Sequence, residues 1–191
     1  MWGGGGLYQT WASFLERWAA GERLDPSSLP ALRVEDFTGD TWSRLADRLS
    51  DALSRRLVAW AATLTAGLGE ARDEYGVARA LANGRLGLAP IRALATHSGL
   101  PPDLAARLLG MVDSQVDSAQ KSLEAEVDRM RRRPEVTRDA VEARLRTIRD
   151  NPLTLVSQKP PLAVAGRDAW YVDPSSPSRR QVIVNPRSTP T

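Results

Sequence analysis

Arginines dominate the residues whose type and spacing could do chemistry. Arg129, Arg131, Arg132 and Arg133 fall within five positions, and Arg138, Arg146 and Arg149 follow within the next sixteen. A guanidinium stays charged at physiological pH, and its planar fork matches a carboxylate or a phosphate. Two contacts suit such a cluster: an acidic protein surface, or a sequence-independent grip on nucleic acid. A third reading is purely structural, in which the arginines complement a helix dipole and otherwise face solvent.

Catalytic groups are sparse. His97 is the single histidine and cysteine is absent, so thiolate ligands, disulfides and a two-histidine zinc helix are excluded. A histidine at the end of a helical stretch is expected to cap it or to face solvent. The glycine groups Gly3–Gly6 and Gly67-Leu68-Gly69 do not sit between a strand and a helix, and neither runs into the Gly-Lys-Ser/Thr of a phosphate loop. There is no G-x-S-x-G elbow. Carboxylates alternate with arginines at helical spacing, which is the pattern of a solvated face. The expectation is therefore a non-enzymatic protein with no catalytic residue, no metal and no cofactor.

One stretch has the shape of a helix-turn-helix. Across Leu94–Leu108, Ala95 precedes a turn glycine, Gly99, by four positions, and Leu94, Leu100, Ala105 and Leu108 fall where two helices would pack. The second helix would offer a DNA groove Pro102, Asp103, Ala106 and Arg107, of which only Arg107 can grip a base or phosphate. A structural corner fits these residues better than a reading head.

These groups must be carried by helices. Leu104, Leu108, Val112, Val116, Ala119, Leu123, Val127 and Met130 recur at steps of three or four, predicting a long amphipathic helix over 102–132. Pro101 and Pro102 suit its start and Pro134 stops it. Trp42, Leu45, Leu49, Leu53, Leu57, Trp60 and Leu64 predict a second over 41–66, capped by Asp40 or Thr41. Stripes of this length bury themselves by pairing. Gly76, Gly84, Gly87 and an Asn83-Gly84 turn predict two short helices near 71–82 and 89–97 between them. Thr137 caps a further helix through Arg149, with Val141, Leu145 and Ile148 on its apolar edge.

At the N-terminus Gly3–Gly6 read as a flexible leader before a short helix presenting Leu7, Trp11, Phe14, Leu15 and Trp18 on one face. That face either packs on the body or docks a partner. Residues 21–40, broken by Pro26 and Pro30, form a connector pinned by Leu29, Leu32, Val34 and Phe37. Beyond Asn151-Pro152 the short runs 153–156, 169–172 and 181–184 are β-prone, and 168–172 with 181–184 predict a hairpin. The fold class expected is mainly α: an antiparallel bundle built on 41–66 and 102–132, with a C-terminal hairpin or extended tail. Its divisions are an aromatic helix at 1–20, a helical body at 21–150 and a Pro/Ser-rich segment at 151–191.

Charge is unevenly placed along the chain. The chain of 191 residues carries a net charge of +3. Residues 1–120 hold 12 basic and 14 acidic side chains, residues 121–150 hold 9 and 7, and residues 151–191 hold 5 and 2. No apolar run reaches the roughly 20 residues that span a bilayer, so a cytoplasmic protein without a membrane span is expected. The functional expectation is an adaptor or assembly subunit, meeting a protein partner or a second copy through Trp11, Phe14, Trp18, Trp170 and Tyr171. The alternative is a nucleic-acid-binding accessory protein using Arg129, Arg131, Arg132, Arg133, Arg138, Arg146 and Arg149.

Overall fold

The periodic stripes become helices in the computed structural model, which describes the backbone of residues 3–154 and of three short stretches, 162–163, 169–172 and 182–184. The chain is mainly helical: α1 (Gly3–Ala19), α2 (Gly39–Glu70), α3 (Glu74–Ala95), α4 (Pro102–Met130) and α5 (Arg138–Asp150). It divides into two compact units, Met1–Thr63 with Gly87–Ser118, and Leu64–Leu86 with Ala119–Thr191. Each of α2, α3 and α4 contributes one portion to each unit. No helix among the described residues is long and apolar enough to cross a membrane.

In the first unit α1 is held by its aromatics. Trp11, Leu15 and Trp18, spaced four and three apart, lie on one face and are buried, both tryptophans at 0% exposure. The helix starts earlier than its apolar pattern, because Gly3–Gly6 form its first turns; the Thr10 hydroxyl donates to the Gly6 carbonyl at 2.9 Å. Leu45, Leu49 and Leu53 of α2, Ile91 and Leu94 of α3, and Leu108, Val112 and Val116 of α4 complete the core. The cap of α2 is Thr38 rather than Asp40 or Thr41: its hydroxyl accepts from the Thr41 N–H at 3.3 Å, and its carbonyl from Trp42 at 2.9 Å.

The connector is pinned as its apolar residues require, with one exception. Leu29 and Leu32 are buried, but Val34 is 45% exposed because it opens a short 3-10 turn, Val34–Asp36, that points none of its residues inward. A polar latch adds to this packing. The Trp11 indole N–H donates to the Pro30 carbonyl at 3.0 Å. His97 accepts from the Gly99 N–H through Nδ1 at 3.0 Å, which leaves Nε2 to donate to the Leu29 carbonyl at 3.1 Å. The Leu32 N–H donates to the Gly99 carbonyl at 2.7 Å. The Trp11 and His97 rings meet edge to face, centroids 5.4 Å apart. His97 is thus part of the fold's internal wiring.

The expected pair of short helices between α2 and α4 is a single helix. Asn83-Gly84 makes no turn, and α3 continues through Gly84, Gly87 and Pro90. Close approach explains two of the glycines. A Cβ on Gly87 would stand 3.2 Å from the Trp60 ring, and one on Gly84 would stand 3.0 Å from Leu64 and 3.4 Å from Leu153. A glycine signals a breaker in sequence, but here it lets a neighbouring element come near.

In the second unit Leu64–Glu70 of α2 and the first half of α3 run antiparallel, since Gly67 faces Ala80 while Leu64 faces Gly84. Leu64, Val77, Leu81, Val127, Val141, Leu145, Ile148 and Leu153 are its buried apolar residues. Thr137 caps α5 as its sequence predicts, accepting from the Ala140 N–H at 3.3 Å. The chain leaving α5 is clamped: Gln120 accepts from the Leu153 N–H at 3.2 Å, and Arg85 donates to the Pro152 carbonyl at 3.0 Å. Residues 162–163, 169–172 and 182–184 have extended backbone; the turns of the expected hairpin lie outside the described residues.

Candidate functional site

The arginine-rich end of the second unit is where α4 stops and α5 begins. The last carbonyls of α4 are closed by tight turns: the N–H groups of Arg131, Arg132 and Arg133 donate to Asp128, Arg129 and Met130. This follows the rule that helix-end carbonyls find partners when the chain turns away. The side chains of all three arginines remain exposed.

The cluster then separates into two groups. Arg131 reaches Glu142 of α5 at 2.5 Å and Asp128 at 3.6 Å, tying α4 to α5. Arg129 pairs with Glu126 one turn back at 3.0 Å. Arg144, half-buried and not singled out by sequence, donates to the Ala71 carbonyl at 3.0 Å and fastens α5 to the link between α2 and α3. By contrast Arg132, Arg133, Arg138, Arg146 and Arg149 are exposed and have no acidic partner among the described residues. These five guanidinium groups face solvent.

Two grooves open beside them. The larger, about 570 Å³, has a floor of Leu68, Val77, Leu123, Val127, Met130 and Ile148. Arg129, Arg133 and Arg144 stand around it, with Glu126 as its acid. The smaller, about 510 Å³, is lined by Arg131, Arg133, Pro134, Val136, Arg138 and Glu142 among others. Arg133 therefore serves both. Neither groove was foreseeable from one stripe, since the larger draws its walls from α2, α3, α4 and α5.

The aromatic candidates are placed differently. Trp11 and Trp18 point into the first unit and are fully covered, and of the three candidates on that helix only Phe14 is half-exposed. The α1 face therefore packs on its own unit, because two buried indoles cannot meet a partner without undocking. Trp18 is further covered by Arg56, whose guanidinium stacks 4.9 Å from the ring centroid and is pushed below its ordinary pKa by burial. Trp170 and Tyr171 belong to an extended backbone stretch, and their side chains lie outside the described residues.

The helix-turn-helix-like stretch is a corner. Leu94, Ala95, Leu100 and Leu108 are buried and Ala105 half-buried, so the packing positions are as the pattern implies. Gly99 is not a left-handed turn residue; Gly21 is the one glycine with positive φ among those described. Its need for hydrogen in place of a side chain comes from the connector, because a Cβ there would lie 2.6 Å from the Ala31 Cα.

One buried charged group of the second unit was not singled out by sequence. Arg85 is only 7% exposed, its Nη2 has no partner, and burial lowers its pKa. The signal was its register: Val77, Leu81, Arg85 and Leu88 fall on one face of α3, so an arginine stands in an apolar stripe. Among the described residues no group of three or more His, Asp or Glu is placed to hold a metal. No family model, curated protein or solved structure matches the chain.

Proposed function

We propose that this chain is a non-enzymatic helical interaction protein, an adaptor or assembly subunit, that meets an acidic protein surface through the 129–149 region. The observation that carries the reading is the set of five exposed arginines without acidic partners among the described residues, beside Arg131 and Arg144, which tie α5 to its neighbours, and Arg129, which pairs with Glu126. Nucleic acid is the second reading. The 9 basic and 7 acidic side chains of residues 121–150 favour the protein partner, since a backbone-tracking surface gains from each neutralised phosphate and interleaved acids oppose it. In this proposal α2 and α4 form an antiparallel bundle whose stripes supply the core. The segment 151–191 offers a second contact region, with 169–172 and 182–184 paired as a hairpin in which Trp170 stands opposite Val184. A second copy of the chain is an equally suitable protein partner.

The test is crosslinked affinity purification of the full chain from its native host, beside a variant carrying Arg132→Glu, Arg138→Glu and Arg146→Glu. A partner recovered with the wild type and lost with the variant supports the reading. A strict monomer by light scattering with no arginine-dependent partner refutes it. Retardation of duplex DNA or RNA that weakens steeply with salt would move the assignment to nucleic acid.

A further inference from the structure

The larger groove of the second unit combines two kinds of surface. Leu68, Leu123 and Met130 are half-buried at its floor, over the buried Val77, Val127 and Ile148. Small-molecule sites are concave, mostly apolar and fitted with a few polar groups, at about 300–1,000 Å³; this groove holds about 570 Å³. A stable protein contact buries on the order of 1,200–2,000 Å², far more than three half-covered side chains can provide.

The charges around the groove select the ligand's polar end. Glu126 is held by Arg129 at 3.0 Å, and Arg144 is committed to the Ala71 carbonyl. Arg133 is exposed, and its guanidinium has no partner among the described residues. One free fork matches one carboxylate, bound through two parallel N–H···O contacts. Residues 155–191 of the chain itself carry 5 basic and 2 acidic side chains, so their charge opposes this seat. Nucleic acid makes no use of an apolar floor.

We propose that this groove binds a straight-chain carboxylate, with its methylenes along Leu68, Leu123 and Met130 and its head on Arg133. Arg129 stands beside that head and can exchange its solvated contact with Glu126 for the ligand. The proposal goes beyond the interaction reading and does not rest on it. Failure of partner capture would leave ligand binding standing, and the reverse holds equally.

The test uses the full chain and dodecanoate below its micelle concentration. The three methionines, Met1, Met111 and Met130, give a compact reporter: with methyl-labelled methionine, the Met111 and Met130 resonances are assigned by substitution to leucine. The expected result is saturable binding of one dodecanoate per chain, with the Met130 methyl shifting and the Met111 methyl unmoved. Arg133→Gln is expected to weaken binding at least tenfold, whereas Arg138→Gln, outside the groove, changes it less than twofold. Dodecanol or dodecyltrimethylammonium binding as tightly as dodecanoate would overturn the proposal. So would an Arg133→Gln protein that binds like the wild type, a shift confined to Met111, or binding seen only with anionic phospholipid vesicles or an acidic peptide.

Discussion

Replacing Gly99 with alanine adds one methyl group where the chain has least room. The new Cβ would lie 2.6 Å from the Ala31 Cα, 2.8 Å from the His97 Cε1 and 3.0 Å from the Ala31 Cβ. Carbon atoms rest about 3.5–4.0 Å apart, so the corner and the connector must separate by about 1 Å. Overpacking of this kind costs about 1–3 kcal/mol. The same movement stretches the 2.7 Å bond from the Leu32 N–H to the Gly99 carbonyl, worth about 0.5–1.5 kcal/mol if lost. Against this, alanine narrows the unfolded ensemble by about 0.4–1 kcal/mol, a gain available because the φ of Gly99 is outside the left-handed region. The net expectation is destabilisation by about 1–3 kcal/mol, read as a lower urea midpoint at unchanged slope. Gly110→Ala is the control: it sits within α4 with nothing within 4 Å of a new Cβ, and should stabilise by about 0.5–1 kcal/mol. Adding Ala31→Gly to Gly99→Ala removes the 3.0 Å contact but leaves the closer one with main chain, so it should restore less than half of the loss. A Gly99→Ala protein as stable as the wild type would refute the close-approach account.

Two further substitutions follow from buried polar atoms. Arg85→Met keeps an unbranched apolar stem while removing a guanidinium that is 7% exposed and whose Nη2 has no partner among the described residues. Because desolvating an ion costs several kcal/mol, the variant should match or exceed wild-type stability in thermal melts, whereas Arg85→Ala, which leaves a hole, should lose about 2–4 kcal/mol; equal losses in both would show the charge to be net favourable. Trp11 and Trp18 are equally buried, but only Trp11 uses its N–H, since the Trp18 Nε1 is buried without a partner. Trp11→Phe should therefore cost about 1 kcal/mol more than Trp18→Phe in urea unfolding, and the reverse order would contradict the latch.

The regular parts of the fold were legible because they rest on local repetition. The stripe of α4, the apolar edge and Thr137 cap of α5, and the burial of Leu29 and Leu32 all appear at the positions that spacing implies. What failed depended on distant neighbours. Gly84 and Gly87 read as breakers, yet they admit Leu64, Leu153 and Trp60, partners that local spacing cannot reveal. Gly99 stands out in sequence as a turn glycine, but the obstacle it avoids is Ala31, far back in the chain. At the candidate site the arginines were visible, but which of them are occupied was not. That division depends on Glu126, Glu142 and the Ala71 carbonyl, and so on how α2, α4 and α5 meet. Trp11 and Trp18 look alike as docking aromatics in sequence, and only packing shows them turned inward.

The two units are woven from alternating lengths of chain, and this bears on synthesis. The first unit needs residues 87–118, which leave the ribosome after 64–86, the first portion of the second unit. The second cannot close until α5 has emerged. The first unit therefore cannot be completed before the second has begun, and no single cut in the gene separates one from the other. A nascent chain halted near residue 86 would hold Trp11, Trp18 and the α2 stripe without residues 87–118, the portion that completes their unit.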